Sequence, residues 1–312
     1  MNTICQIKEE NPYFYIDVMK LLLALVILIA HIQLFGEYPT VCSIFNKYIF
    51  SFALPLFFLF SGYFFTNKVA DVSIPWSYSF PKIKRVLILY AVWIIPNLLT
   101  VYLRFRGTSI QYILSSVFFS GVYMASWYLN AIIWCMIIVT VISKLAPKLY
   151  IYFAILVGLI LYLIARGIIP DYINLLQIVT THSFVGGLIF FSLGALLSKV
   201  KIPLLINIPL FFGAFALYMF NIEVILSLIL IVFSLGVFLF QYAPSGSVQV
   251  GRAFRVSSTI IYLGHPALMI VLRHVVSTNP IVVLIIVLSV LMLLSYLVMH
   301  YEKKYPLLAY LY

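Results

Sequence analysis

Three ionisable residues stand where an apolar helix has to run. Asp17 and Lys20 precede LLLALVILIA, and His31 follows it. An ionisable side chain inside a bilayer is costly, so each is a candidate for function by default. A helix advances about 100° per residue, so Lys20 and His31 lie within about 20° of one face. Asp17, three residues before Lys20, leans the same way. Asp17 and Lys20 have a second reading, an ion pair among lipid headgroups. That reading does not cover His31, which stands about 16 Å above Lys20 by helix rise. The alternative for His31 is a hydrogen bond to a neighbouring helix. Asp17 is about 21 Å from His31 along one straight helix and cannot bond to it directly.

A second group, Lys82, Lys84 and Arg85, opens another apolar run. Cationic side chains together with a helix N-terminal dipole suit an anion; a plain orientation signal is the competing reading. Single polar residues elsewhere carry weaker signals. Ser61-Gly62 reads as a packing pair or as cavity lining. Trp127 and Tyr128 read as cavity wall or interface belt. Asn130 can bond across helices, and His265, just before Pro266, either faces a cavity or marks a polar break. Arg273 and His274 either snorkel or touch a substrate. Glu223, His182 and His300 read as solvated or interfacial. Cys5, Cys42 and Cys135 are far apart in sequence and read as ordinary thiols, with no metal site expected.

The elements that must position these residues follow from composition. Apolar residues make up 65% of the 312, against only 9% charged. Soluble domains carry about 45–50% apolar and about 25% charged residues, so a soluble fold, a disordered chain and a disulfide scaffold are excluded. The apolar stretches run unbroken for about 20 residues, which fits membrane helices and not the alternating strands of a porin. An all-α, polytopic bundle is expected, with ten spans near 16–36, 44–65, 85–103, 127–143, 149–166, 184–198, 202–220, 222–241, 257–276 and 281–300. Residues 109–123 are short and apolar and suit an interfacial or re-entrant helix. No loop is long enough for a second domain, so residues 1–312 read as one membrane-embedded domain. The N-terminal segment, with acidic residues before its apolar run, does not read as a cleavable signal.

The net charge of +11 belongs to the loops. With the N-terminus inside, the inner segments hold 13 Lys and Arg, and the outer segments hold Lys47, Arg104, Arg106 and Arg166. That bias places both termini in the cytoplasm. Orientation accounts for the basic residues, so nucleic acid is not an expected partner.

Several of these residues also form an ordered set of motifs. Asp17-x-x-Lys20 with a histidine 14 residues after the aspartate resembles the opening helix of the membrane acyltransferase-3 family. Leu54-Pro55-Leu56-Phe57-Phe58-Leu59-Phe60-Ser61-Gly62-Tyr63 is similar to the family's PLFF-x-x-SG stretch. Lys82-Ile83-Lys84-Arg85 stands where the family has R-x-x-R, and Trp127-Tyr128-Leu129 matches its W-[FY]-L. Phe190-Phe191-Ser192-Leu193-Gly194 resembles FF-x-x-G, and Ile260-Ile261-Tyr262-Leu263-Gly264-His265-Pro266 resembles its late IYL-x-H-P. Two positions depart from the pattern: Lys20 and Lys82 stand in place of arginines. Lysine keeps the charge but loses the planar fork that grips phosphate.

The resemblance implies an integral membrane O-acyltransferase. It would move an acyl group, acetyl above all, from a coenzyme A thioester to a hydroxyl of a cell-envelope or exported carbohydrate or sugar-lipid. Acyl-CoA is then a co-substrate and no cofactor is held permanently. His31 is assigned as general base or acyl relay, since an imidazole can take the proton of an attacking hydroxyl. Asp17 is assigned with it to the catalytic set, to orient or balance charge beside the basic cluster. Lys20, Lys82, Lys84 and Arg85 are assigned to the donor, and Ser61, Trp127, Asn130, His265 and Arg273 to the acceptor. The implied location is the bacterial inner membrane, and no extra esterase-like domain is expected. A transporter or flippase for a sugar or sugar-lipid is the alternative. It would more often show internal repeats, and none is visible.

Overall fold

In the computed structural model the first apolar run folds as α1 (Phe14–Ile32). It ends where Gln33 turns left-handed (φ 59°) and returns its N–H to the last turn. The structure describes residues 10–69, 73–165, 184–275 and 279–312, apart from the side chains of 165, 184 and 273–275. The chain continues as α2 (Pro39–Thr66), α3 (Trp76–Ile94), α4 (Leu98–Phe105), α5 (Ile110–Ser120), α6 (Ser126–Leu145) and α7 (Tyr150–Ala165). Beyond residue 183 come α8 (Phe184–Leu197), α9 (Leu204–Met219), α10 (Val224–Tyr242), α11 (Val248–Val275) and α12 (Pro280–Tyr301). A 3-10 turn, Pro306–Leu311, follows.

This is an all-α membrane bundle. Among the described residues six helices are long and apolar enough to cross a membrane, or seven if α3 and α4 form one broken span. The helices α5, α7, α8 and α9 are apolar but shorter. Three expected boundaries need correction. The third span is expected at 85–103, opened by Lys82, Lys84 and Arg85. Pro75 caps it instead, the helix begins at Trp76, and Pro81 is accommodated inside. The same span breaks at its far end, where α4 turns 82° from α3. Pro96, in the break between them, has no N–H to continue the ladder. Finally, 242–256 was read as loop, whereas α11 starts at Val248. The long loop expected at 167–183 lies outside the described residues.

Small residues decide which helices touch, because apolar surface gains nothing from leaving lipid for another apolar surface. A Cβ on Gly62 would stand 1.8 Å from the Phe191 carbonyl oxygen, and one on Gly194 would stand 1.9 Å from that of Leu59. Backbones of α2 and α8 therefore meet directly, and Ser61-Gly62 is a packing pair. Gly194→Val is expected to cost about 3 kcal/mol or more, because the backbone cannot yield as a side chain can. Gly213 in α9 has open space around it, so Gly213→Ala is the control. Thermal unfolding in detergent should separate the two; equal melting temperatures would remove the contact from the account.

One irregularity bears on the site. Residues Asn46–Phe50 of α2 form a π-turn, a local widening that often accompanies function. The Ser51 N–H is drawn to the Asn46 carbonyl. The Lys47 carbonyl instead accepts from the Ser51 hydroxyl at 2.5 Å and the Tyr218 hydroxyl at 2.6 Å. The turn places Phe50 edge-on to His31, with ring centres 6.4 Å apart.

Candidate active site at the α1–α11 interface

Two helices more than 200 residues apart in sequence carry the site. The α1–α11 pair is tied at three levels. Glu10–Asn11 pairs as a short strand with Gly246–Ser247 just before the two helices begin. Asp17 then meets Arg255, and His31 meets His265. Both helices ascend from the first tie to the last, so they run in the same sense. The ten-span layout requires this of its first and ninth spans.

The lower tie is an ion pair between a buried carboxylate and a half-exposed guanidinium. The Arg255 guanidinium donates from Nε to Asp17 Oδ1 at 3.2 Å and from Nη2 to Oδ2 at 3.0 Å, a two-pronged grip. Asn11 Nδ2 donates to Oδ2 at 3.0 Å. The aspartate side chain is 3% exposed and that of Arg255 is 50% exposed. Gly251 makes room, since a Cβ there would meet Asn11 Nδ2 at 2.5 Å. Asp17 was expected beside the basic cluster of α3, but its cation comes from α11. Sequence reasoning counted Arg255 only as a topology charge. A signal was present: Arg255 precedes His265 by a few turns, as Asp17 precedes His31.

The upper tie joins the two imidazoles. His31 Nδ1 and His265 Nε2 are 2.9 Å apart. His265 is fully buried, and its Nδ1 lies 3.0 Å from the Ile261 carbonyl oxygen. The ring of Tyr262 lies beside His265, at 6.3 Å between centres, and continues to Tyr128 and Phe57 at 5.5 and 5.9 Å. The Tyr128 hydroxyl donates to the Phe57 carbonyl at 3.2 Å and lies 3.1 Å from the Ser61 hydroxyl. Ser61 itself donates to Phe57 O at 2.9 Å. An aromatic wall therefore links the histidine pair to Ser61.

The other candidates scatter. Trp127 is half-buried against Phe58. Asn130 donates to the Val117 carbonyl at 2.8 Å and so fastens α5 to α6. The Arg273 and His274 side chains and all of His182 lie outside the described residues. His300 is exposed and stacks on Tyr296 at 5.9 Å.

The cations gather at the end of the bundle where α1 begins. The Lys20 ammonium sits 4.8 Å over the Phe64 ring. Lys82 donates to the Phe64 and Phe65 carbonyls, both at 3.2 Å, and to the Tyr78 hydroxyl at 2.5 Å. It thus caps the last turn of α2, where a cation opposes the negative end of the helix dipole. Because α3 begins at Trp76, these cations stand in its second and third turns and not at its positive tip. Lys84 and Arg85 are exposed. Arg85 lines a cavity of about 300 Å³ with Leu89, Pro306, Ala309, Tyr310 and Tyr312. Arg252 completes this end, paired with Glu302 and bonded to the Tyr312 hydroxyl at 3.2 Å.

A family model described as an acyltransferase domain matches residues 13–300. No curated protein and no solved structure matches the chain.

Proposed function

The chain belongs to the acyltransferase-3 family, and from that premise we propose an O-acyltransferase that moves an acetyl group from acetyl-CoA to a carbohydrate hydroxyl. The observation that carries this reading is the paired His31 and His265, set between parallel helices about 21 Å above the Asp17 level. A hydroxyl is a weak nucleophile near neutral pH and needs a base within hydrogen-bond reach. His31 takes the hydroxyl proton as the oxygen attacks the thioester carbonyl carbon. The C–S bond breaks, the thiolate of coenzyme A leaves, and the proton passes to that sulfur. The acceptor is a hydroxyl of a cell-envelope or exported sugar, bound along the wall of Tyr262, Tyr128 and Phe57. The protein lies in the inner membrane with both termini cytoplasmic, which puts the cationic end on the side where acyl-CoA is made.

The donor's phosphates suit the cations at that end. Lys84 and Arg85 are exposed there, while Lys82 already serves the carbonyls of α2. Labelled acetyl-CoA supplied to membranes holding the protein should yield acetylated envelope sugar, and no transfer would defeat the reading. Neutralising Lys84 and Arg85 together should raise the apparent KM for acetyl-CoA at least about tenfold, since charge-assisted bonds are worth about 1.5–3 kcal/mol each. An unchanged KM would reduce both to orientation signals.

A further inference from the structure

We propose that His265 is a positioning residue that fixes the tautomer of His31, leaving the lone pair on His31 Nε2. The inference rests on the reading of His31 as the base and adds what makes it one.

The proton order follows from the contacts. A carbonyl oxygen only accepts, so the 3.0 Å contact between His265 Nδ1 and Ile261 O requires a proton on Nδ1. His265 is 0% exposed, and a cationic imidazole buried at membrane depth is heavily penalised. The ring is therefore neutral with one N–H, and its Nε2 carries a lone pair. One proton must lie in the 2.9 Å gap to His31. It belongs to His31 Nδ1, and in a neutral His31 ring the remaining nitrogen, Nε2, is the basic one.

Ring geometry agrees. The ring centres are 5.1 Å apart and the planes differ by 22°. A ring nitrogen lies about 1.2 Å from its centre, so an in-line bond across this gap allows at most about 5.3 Å between centres. The two rings meet edge to edge and nearly coplanar, where an N–H and a lone pair can point at each other.

The sequence builds the anchor locally. His265 reaches back one turn to residue 261 on its own helix. Pro266 has no N–H to give the Tyr262 carbonyl, so that one carbonyl loses its helix donor in the turn that holds His265. The dipeptide His265-Pro266 thus orients the histidine that orients His31. A backbone carbonyl performs the task that a carboxylate performs in a hydrolase triad, where loss of the correct tautomer is worth about 10⁴ in rate.

The test uses full-length protein in lipid nanodiscs with ¹⁵N-labelled histidine, the His31 signals being assigned by their loss in His31→Gln. His31 should show a protonated Nδ1 and a bare Nε2. In His265→Leu the acceptor is gone, and His31 should shift toward the Nε2–H form that water favours. Acetyl transfer should then fall about 10²-fold or more in kcat with KM little changed. In His265→Gln the amide oxygen replaces the acceptor, so the Nδ1–H form and most of kcat should return. A spacer role would leave the His31 tautomer the same in all three proteins. That outcome, or an Nε2–H in the unaltered protein, would overturn the proposal. Should the tautomers behave as stated while the unaltered protein transfers no acetyl group, the enzymatic reading fails and the proton order stands.

Discussion

His31→Gln is expected to abolish acetyl transfer while the protein still inserts and folds. General-base assistance supplies about 10²- to 10⁴-fold in rate, so kcat should fall by that much. Glutamine keeps the architectural half of the residue, because its amide N–H can donate to His265 Nε2 across the same interface. The tie between α1 and α11 therefore survives, and so does KM. What glutamine cannot do is take up a proton at working pH. His31→Ala removes both halves and should be as inactive but less stable, so comparing the two separates proton handling from helix bonding. A well-expressed glutamine variant with substantial acetyl transfer would end the assignment of His31 as a base.

The second large effect concerns stability, at the lower tie. Removing Arg255 strands a carboxylate that is 3% exposed, with Asn11 left to satisfy it. Breaking a fully buried pair this way costs about 3–5 kcal/mol, and with Arg255 half exposed the loss is expected at the lower end of that range. Asp17→Asn is expected to cost far less. Arg255 is half exposed, so a released guanidinium can turn to water while the new amide still bonds Asn11. Asp17→Asn combined with Arg255→Leu should be milder than Arg255→Leu alone, since the stranded charge is then gone. Denaturant titration in mild detergent reads all three. Arg255→Leu no worse than Asp17→Asn would show that the carboxylate is not desolvated as its burial indicates.

These two experiments probe residues that were unequally legible. Asp17, Lys20 and His31 stand out in an apolar helix because ionisable groups are costly there. His265 stands out less, since one polar residue before a proline is also what a helix break looks like. Lys82 was read as a donor contact, yet its three bonds cap the end of α2. Those carbonyls belong to another helix, and sequence spacing does not show that they stand beside Lys82.

Sequence alone determined the membrane class, the all-α architecture, the shared face of Lys20 and His31, and the family. These are properties of local composition and of helical period, which a chain carries in any fold. Only the tertiary structure decided the partners. Nothing in hydropathy distinguishes an apolar residue facing lipid from one facing another helix, because both surroundings are equally dry. That α1 lies parallel to α11, giving Asp17 to Arg255 and His31 to His265, is a matter of which helices meet in three dimensions. Which proton sits on which nitrogen depends in turn on that placement, since His265, the ring that orients His31, is more than 200 residues from it in sequence.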